Sequence, residues 1–508
     1  MENRSFEALK SRLNTIHDLA SAAGLLSWDQ RTMMPPSGGA VRAERLATVG
    51  RLAHELFVSD ETAELLEAAS AYEQSQPYDS DEASLIRVAR RDFIKARKLP
   101  SDLQAEMIRA SSVGYVAWSE SRAASDYSMF LPALTRHVEL HQQVIALYRD
   151  DLPADGEGYD VLLDDYEPGL TAKEVRAVFD DLKQATIPLV KRVSERSDRI
   201  DNSMLHGTFP IEQQRDVALR LIRPFGFDDT SWRLDPTQHP FASSMATTDI
   251  RLTTRYLEDD LGSAVFGTMH ECGHGLYERG VSPSLERTLL ARGASMSWHE
   301  SQSRMWENLV GRSRAFWVGA FPALVGAFTD GFQFETPESV YRAVNKMQPS
   351  LIRVEADELT YNLHIILRFE LEQDIFDGRV ELRDLPEAWN AKIRGYLGIE
   401  VPDDARGVLQ DVHWGGGSFG YFPTYALGNV VSLQLWDRIT TDIPNLDEMF
   451  ARNEFGALRE WLASNLHIHG RKFLPKELLK RVLGTESFDA QPLIGYLTRK
   501  VDDLYGPA

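Results

Sequence analysis

The sequence predicts a mainly α-helical protein with one small β-sheet. Apolar residues recur three and four positions apart in segments such as 284–293 (SLERTLLARG), 338–347 (ESVYRAVNKM) and 477–484 (ELLKRVLG), and each segment ends near glycine or a polar residue. The 508 residues are 43% hydrophobic, which is enough to bury a large core. Because the turn-rich breaks are short and hold aromatic or apolar residues, we expect residues 1–508 to form a single domain folded as two lobes.

The composition excludes several classes of partner. The formal net charge of −21 repels the phosphates of nucleic acids and the headgroups of anionic lipids. The longest apolar run, residues 315–328, is too short to span a bilayer, and the N-terminus lacks the apolar core of a secretory signal. Cys272 is the only cysteine, which rules out an internal disulfide and fits a reducing compartment. We therefore expect a soluble, cytoplasmic protein that binds neither nucleic acid nor membrane.

Two strands are predicted at residues 239–245 (HPFASSM) and 249–256 (DIRLTTRY). Both segments alternate in polarity and carry β-branched residues, and the residues between them are polar, as in a turn. They come directly before a segment with helical periodicity that ends at Gly280. We therefore expect the small sheet to lie beside that helix.

The helix is predicted to begin after Ser263, which we assign as its N-cap, and to end at Gly280. Val265, Met269, Cys272 and Leu276 follow the spacing of a buried stripe. The helix also holds three interior glycines, each of which destabilises it by about 0.5–1 kcal/mol relative to alanine. Close approach of a neighbouring backbone would explain these glycines, which are Gly267, Gly273 and Gly275.

Two histidines on this helix indicate a metal site. His270 and His274 are four residues apart, so both imidazoles lie on one face, about 6 Å apart along the axis. Glu271 projects about 100° away from that face, where it can miss a metal ion yet reach a water molecule beside it. This is the H-E-x-x-H pattern of zinc peptidases.

A third protein ligand is needed, because catalytic zinc sites take three. Glu278 lies about 12 Å from His270 along the helix axis, which is too far for bonds near 2 Å. The ligand is therefore expected from another segment, and Glu300 in MSWHESQSRMW follows far enough along the chain to lie on a returning helix. The neighbouring His299 is the local alternative, which we interpret as an outer or core histidine.

Motifs spread over the chain resemble those of the carboxypeptidase Taq-type metallocarboxypeptidases. The motifs occur in family order and are WDQRTMMPP (28–36), HPF (239–241), DIRLT (249–253), HECGH (270–274), HESQ (299–302), IRVEAD (352–357), GVLQDVHW (407–414) and NLHIHG (465–470). The resemblance implies a mainly helical, saddle-like fold with a deep central groove, a homodimer, and one zinc ion that cobalt can replace. It implies removal of single residues from peptide C-termini with broad specificity.

The resemblance also implies roles for individual residues. It places His270, His274 and Glu300 on the metal and makes Glu271 the catalytic acid and base. Hydrolysis of a peptide bond passes through a tetrahedral intermediate, whose oxyanion needs a hydrogen-bond donor besides the metal. Our candidates are His413 and Tyr425, on the glycine-rich segment 413–425, and aromatic packing is the alternative role for both.

An enzyme that acts at a chain end must recognise a carboxylate, and arginine suits that task. In SLIRVEADELTYNLHIILRFE, helical spacing places Arg353, Asp357, Tyr361 and His364 on one face. We expect Arg353 to bind the substrate carboxylate and Asp357 to bind substrate or orient Arg353. His239 of the HPF motif is a further expected substrate contact. Arg251 is a second carboxylate candidate, for which a structural role is preferred.

Two other functions remain open from the sequence. The first is a metal-dependent endo-oligopeptidase on a similar helical scaffold, which needs no free C-terminal carboxylate. The second is a non-enzymatic scaffold protein that retains a metal site, and the intact Glu271 argues against it.

Overall fold

The computed structural model describes residues 2–507, and most of them are helical. No helix within these residues combines the length and the apolar character needed to cross a bilayer. The helices in chain order are α1 (Glu2–Thr32), α2 (Gly39–Val58), α3 (Asp60–Ala68), α4 (Ser70–Ser75), α5 (Asp81–Lys98), α6 (Ser101–Ala124), α7 (Tyr127–Tyr148), α8 (Gly158–Leu163), α9 (Ala172–Ser194), α10 (Ile211–Ile222), α11 (Leu261–Gly280), α12 (Met296–Arg304), α13 (Arg314–Ala327), α14 (Thr329–Phe332), α15 (Pro337–Val344), α16 (Tyr361–Phe376), α17 (Leu385–Leu397), α18 (Pro423–Asp442), α19 (Leu446–Ala451), α20 (Gly456–Asn465), α21 (Pro475–Leu483) and α22 (Gln491–Tyr505).

The sheet has three strands, β1 (Trp232–Pro236), β2 (Ala242–Ala246) and β3 (Asp249–Thr254), in the order β1-β3-β2. The two predicted strands are confirmed as β2 and β3, which pair antiparallel. The sequence analysis missed β1, which pairs parallel with β3. Parallel strands are joined through a longer connection, so the sequence contains no local turn signal for the pairing of β1 with β3.

The helical predictions hold in two of three segments. ESVYRAVNKM and ELLKRVLG correspond to α15 and α21. The prediction for SLERTLLARG is wrong, since only Pro283–Leu285 forms a short 3-10 turn there. Leu285 and Leu290 of this segment instead pack into a hydrophobic cluster. Their helical spacing therefore reflects burial of an irregular connection, not a helix.

The described chain has two hydrophobic clusters. The smaller cluster joins α1, α3 and α5 to the connection that follows α11. The larger cluster includes α9, α11, α16, α18 and α22. The sheet packs on α11, because a Cβ at Gly275 would lie 2.9 Å from the side chain of Ile250 and 3.0 Å from that of Leu252 in β3. The mainly helical fold with a small sheet beside the histidine helix is thus confirmed.

Candidate active site

The helix that carries the two histidines, α11, begins at an aspartate. Asp260 caps it by accepting the backbone N–H groups of Gly262 and Ser263, at 3.1 and 3.2 Å. Ser263 therefore lies in the first turn, and the prediction of Ser263 as the N-cap is wrong. Both residue types suit a cap, and the longer aspartate side chain reaches two donors here.

Two of the three α11 glycines that the sequence analysis singled out allow close packing. A Cβ at Gly273 would lie 2.6 Å from the carbonyl oxygen of Gln302, so α12 rests directly on the α11 backbone. A Cβ at Gly275 would collide with the indole of Trp232 in β1. Around Gly267, by contrast, a Cβ would meet only ordinary contacts, at 3.8 Å or more. The expected close approach thus explains Gly273 and Gly275 but not Gly267.

The packing of α11 against α12 brings three candidate ligands together. Nε2 of His270 lies 3.7 Å from Oε2 of Glu300, and Nε2 of His274 lies 3.6 Å from the same oxygen. One potential ligand atom from each of the three residues lies within 4.8 Å of the others. Two imidazole nitrogens and a carboxylate oxygen form a donor set that suits zinc with an open fourth position. The residues present therefore fit a divalent metal ion.

Glu300 and His270 are held from behind by charged groups. Arg304 donates through Nε to Oε1 of Glu300 at 2.7 Å, which leaves Oε2 directed at the histidines. Oε2 of Glu307 lies 2.9 Å from Nδ1 of His270. A Cβ at Gly428 would lie 2.6 Å from the Cβ of Glu300, so α18 also restricts this side chain. These contacts fix how both groups face the common point.

His299 lies behind His274, so it does not join the three candidate ligands. Nδ1 of His299 is 2.8 Å from Nδ1 of His274. Nε2 of His299 is 2.5 Å from Oε1 of Glu278. Both ring nitrogens of His299 are thus engaged by protein atoms.

Burial and neighbouring charges shift the pKa values of the cluster. Burial is the main cause that raises the pKa of Glu271 to about 7, close to the value that suits a general base. Burial lowers the pKa of His270, but Glu300 and Glu307 outweigh it and raise this pKa to about 9. Because a histidine ligand must be neutral, a bound cation would displace that proton.

The structure corrects the predicted stripe of four polar residues. Arg353 lies in a 3-10 turn, Arg353–Glu355, and α16 begins only at Tyr361, so helical spacing does not relate Arg353 to Asp357. The carboxylate of Asp357 accepts the backbone N–H groups of Gln348, Leu359 and Thr360. These bonds indicate that Asp357 braces the loop before α16, contrary to the prediction that it orients Arg353.

Asp411 is the residue that orients Arg353. Nε and Nη2 of Arg353 donate to Oδ1 of Asp411 at 2.9 and 2.7 Å, and Arg368 donates through Nε to Oδ2 at 2.7 Å. The two guanidinium groups hold the pKa of Asp411 far below its usual range, although burial raises it. Sequence reasoning missed both Asp411 and Arg368. The signal was Arg368 in an apolar helix, because a buried arginine needs a carboxylate partner.

His413 and Tyr425 contact each other beside this cluster. Nε2 of His413 lies 3.3 Å from the hydroxyl of Tyr425. Burial and the positive charges of Arg353 and Arg368 lower the pKa of His413 to about 3, although the negative charge of Asp411 raises it. Burial also raises the pKa of Tyr425 well above its ordinary value. Both side chains are therefore neutral at neutral pH, and the tyrosine can donate a hydrogen bond.

A continuous path of contacts joins the histidine cluster to Arg353. The guanidinium carbon of Arg304, which holds Glu300, lies 4.1 Å from the centre of the Tyr361 ring. The hydroxyl of Tyr361 accepts a hydrogen bond from Nη1 of Arg353 at 3.3 Å. The charge of Glu300 also contributes to the raised pKa of Tyr425. The cluster and the arginine pair are thus connected through Arg304 and Tyr361.

The remaining candidates lie near the sheet. His239 is exposed in the segment before β2, and the next residue, Pro240, would lie 4.0 Å from a Cβ at Gly267. This places His239 close to α11, without a contact to the ligand cluster among the described hydrogen bonds and ion pairs. Arg251 pairs with Asp249 at 2.8 Å and lies over the ring of Trp28, which supports a structural role for it.

Comparison with known proteins extends the similarity over nearly the whole chain. A family model described as Carboxypeptidase Taq (M32) metallopeptidase matches residues 8–501. The thermostable carboxypeptidase 1 of Thermus thermophilus is 42% identical over 493 residues, with 96% of each chain covered. The carboxypeptidase 1 of Bacillus subtilis is 39% identical over 508 residues, with 99% of this chain and 98% of the relative covered. The crystal structure of an M32 carboxypeptidase from Deinococcus radiodurans superposes with a TM-score of 0.95 at 37% identity, covering 99% of this chain and all of that one.

Proposed function

Because this chain belongs to the carboxypeptidase Taq (M32) metallopeptidase family and is a metal-dependent carboxypeptidase, we propose that it releases single C-terminal amino acids from peptides with broad specificity. The observation that carries this proposal is the convergence of His270, His274 and Glu300, together with the contacts through Arg304 and Tyr361 that connect Glu300 to Arg353. Such an arrangement can hold a scissile bond and a terminal carboxylate at the same time.

His270, His274 and Glu300 would hold the metal, for which we propose Zn²⁺, with Co²⁺ as a substitute. When bound, the ion supplies a Lewis acid that polarises the peptide carbonyl and acidifies water. Glu271 takes the proton of the attacking water and delivers it to the leaving amine. Its buried position and raised pKa, about 7, favour both halves of that proton transfer.

Tyr425 and His413 assist at the carbonyl oxygen. The neutral hydroxyl of Tyr425 donates a hydrogen bond to the developing oxyanion, and His413 orients that hydroxyl through the 3.3 Å contact. Both groups are buried, and burial disfavours their charged forms, which supports the neutral state of His413 and Tyr425.

Arg353 anchors the substrate carboxylate in this proposal. Arg353 and Arg368 share the single carboxylate of Asp411, so the cluster carries a surplus positive charge. A second carboxylate, from the peptide end, would balance it. We propose His239 as a further contact to the peptide. Asp357 instead stabilises the loop before α16 through its hydrogen bonds to backbone N–H groups.

The whole chain would act as one catalytic domain. We propose a homodimer in the cytoplasm with peptide substrates as its partners. The lone cysteine, which fits a reducing compartment, supports this location.

The test is amino-acid release from matched pairs of N-blocked dipeptides and tripeptides, as free acids and as C-terminal amides. Zn²⁺, Co²⁺ or a chelator is added in parallel. We expect release from the acids, little from the amides, and none with the chelator. Equal cleavage of amides would contradict the need for a free C-terminal carboxylate and favour the endo-oligopeptidase, and absence of turnover in the metal-loaded protein would contradict the proposed reaction.

A further inference from the structure

The two histidines of the ligand cluster are supported in different ways at Nδ1. His270 faces the carboxylate of Glu307 directly, at 2.9 Å. His274 instead faces the imidazole of His299 at 2.8 Å, and that imidazole faces Glu278 at 2.5 Å. We propose that His299 and Glu278 are positioning residues that set the tautomer and orientation of His274 for metal binding, with Glu278 acting through His299. This inference rests on the proposed metal-binding role of His274.

Hydrogen-bond chemistry gives the relay one consistent direction. A neutral imidazole carries a single proton, and an N···N hydrogen bond needs a donor on one side only. Since Nε2 of His274 faces Glu300 and must offer a lone pair to the metal, the proton of His274 lies on Nδ1. Nδ1 of His299 is then the acceptor, and the proton of His299 lies on Nε2, where it faces the Glu278 carboxylate. Each ring nitrogen of this relay is thus a donor where its neighbour is an acceptor, and an acceptor where its neighbour is a donor.

The surroundings hold His299 in the position that the relay needs. A Cβ at Gly293 would lie 2.6 Å from Cδ2 of His299, so the backbone of the connection before α12 presses on the ring. The ring of Tyr277 lies 5.1 Å from the ring of His299, on a second side. The amide of Gly293 also donates to Oε1 of Glu278 at 3.1 Å, which fixes the end of the relay. The three residues His299, Glu278 and Gly293 thus form one braced unit.

The arrangement predicts that the effects of the two relay residues are not additive. Outer partners of ligating histidines typically change metal affinity about 10–100-fold when removed. If Glu278 acts only through His299, its substitution has no further effect once the His299 imidazole is gone. Glu307 supports the other histidine directly, so its contribution does not depend on His299.

The experiment measures metal binding by the full chain, not turnover. Zn²⁺ affinity is measured by competition with a chromophoric chelator, Zn²⁺ release by transfer to excess chelator, and ligand geometry by the visible absorption of the Co²⁺ form. The variants are His299→Phe, which keeps an aromatic ring without nitrogens, Glu278→Gln, which keeps an acceptor for Gly293, and the double variant. Glu307→Gln reports on the direct arrangement, and Glu212→Gln, exposed on α10, is the matched control.

We expect His299→Phe to weaken Zn²⁺ binding about 10–100-fold and to alter the Co²⁺ spectrum. Glu278→Gln should have a smaller effect, and the double variant should match His299→Phe within about twofold. Combining Glu278→Gln with Glu307→Gln should multiply their separate effects. Glu212→Gln should bind metal like the wild type.

The rival acceptor for His274 is the backbone carbonyl of His299, which also faces its ring. Wild-type Zn²⁺ affinity in a folded His299→Phe protein would show that this carbonyl suffices and would overturn the proposal. Independent, multiplying effects of His299→Phe and Glu278→Gln would overturn it as well. If His299→Phe does not fold, His299→Gln replaces it, because its amide oxygen can still accept from His274. That variant should then recover Zn²⁺ affinity to within about tenfold of wild type, and a larger loss would count against the relay. A wild-type protein that binds no divalent metal would instead defeat the proposed function itself.

Discussion

Arg353 and Asp411 form a buried ion pair in which two nitrogens of the arginine reach one oxygen of the aspartate, at 2.9 and 2.7 Å. The pair directs Nη1 of Arg353 toward Tyr361, which lies beside the histidine cluster. The arginine is therefore fixed before any substrate arrives, which lowers the entropy lost when a carboxylate binds.

Replacing Arg353 with alanine should mainly affect substrates that end in a free acid. Loss of a charge-assisted contact in a shielded site costs about 2–5 kcal/mol. We expect kcat/KM on free-acid peptides to fall by about two orders of magnitude or more, and on amides by much less. The measurement is kcat/KM for matched acid and amide peptides.

Two further variants control this prediction. Arg353→Lys should recover only part of the loss, because lysine cannot form the arginine fork. Arg251→Ala, whose arginine pairs with Asp249, should change acid and amide cleavage alike. An equal decrease for Arg353→Ala would mean that Arg353 only supports the cleft.

Glu271→Gln should separate metal binding from turnover. The amide keeps the size of the side chain but removes the base, so kcat should fall by about 10²–10⁴-fold. Metal content, measured by elemental analysis of the dialysed protein, should remain near that of the wild type. A variant that keeps most of its activity would exclude Glu271 as the base.

Glu300→Ala should lower metal occupancy, because the protein ligands fall from three to two. Activity should return only in part when excess zinc is added. The measurement is bound metal per chain after dialysis, followed by a zinc titration of activity. Full occupancy in the dialysed variant would contradict the role of Glu300 as a ligand.

The glycines of α11 should respond with opposite signs to alanine. Gly273→Ala forces a Cβ against the α12 carbonyl and displaces the helix that carries Glu300, with a loss of about 1–3 kcal/mol of stability. Gly267→Ala has room and should stabilise the helix by about 0.5–1 kcal/mol. The measurements are the melting temperature and the metal content of both variants. Similar changes in the two variants would show that the packing of α11 on α12 does not require Gly273.

Local patterns in the sequence predicted much of the site. The spacing of His270 and His274 and the buried stripe around Cys272 depend on one helix, and α11 carries both. The predictions that were wrong or missing concern residues whose partners are distant in sequence or whose backbone is irregular. Asp411 follows Arg353 by many residues, and the irregular turn between Ile352 and Tyr361 breaks the helical spacing on which Asp357 was placed. Periodicity reports burial, so it could not distinguish the packed connection at 284–293 from a helix.

The connection between α11 and α12 joins the helices that carry His274 and Glu300, yet its Val281, Leu285 and Leu290 belong to the smaller hydrophobic cluster with α1 and α5. An ion held by both helices would therefore restrain a segment that the N-terminal helices also need for their own burial. Local opening of α1 and α5 would then be energetically linked to ion release. Amide hydrogen exchange in those helices should slow when the ion is added, although none of the candidate ligands lies in them.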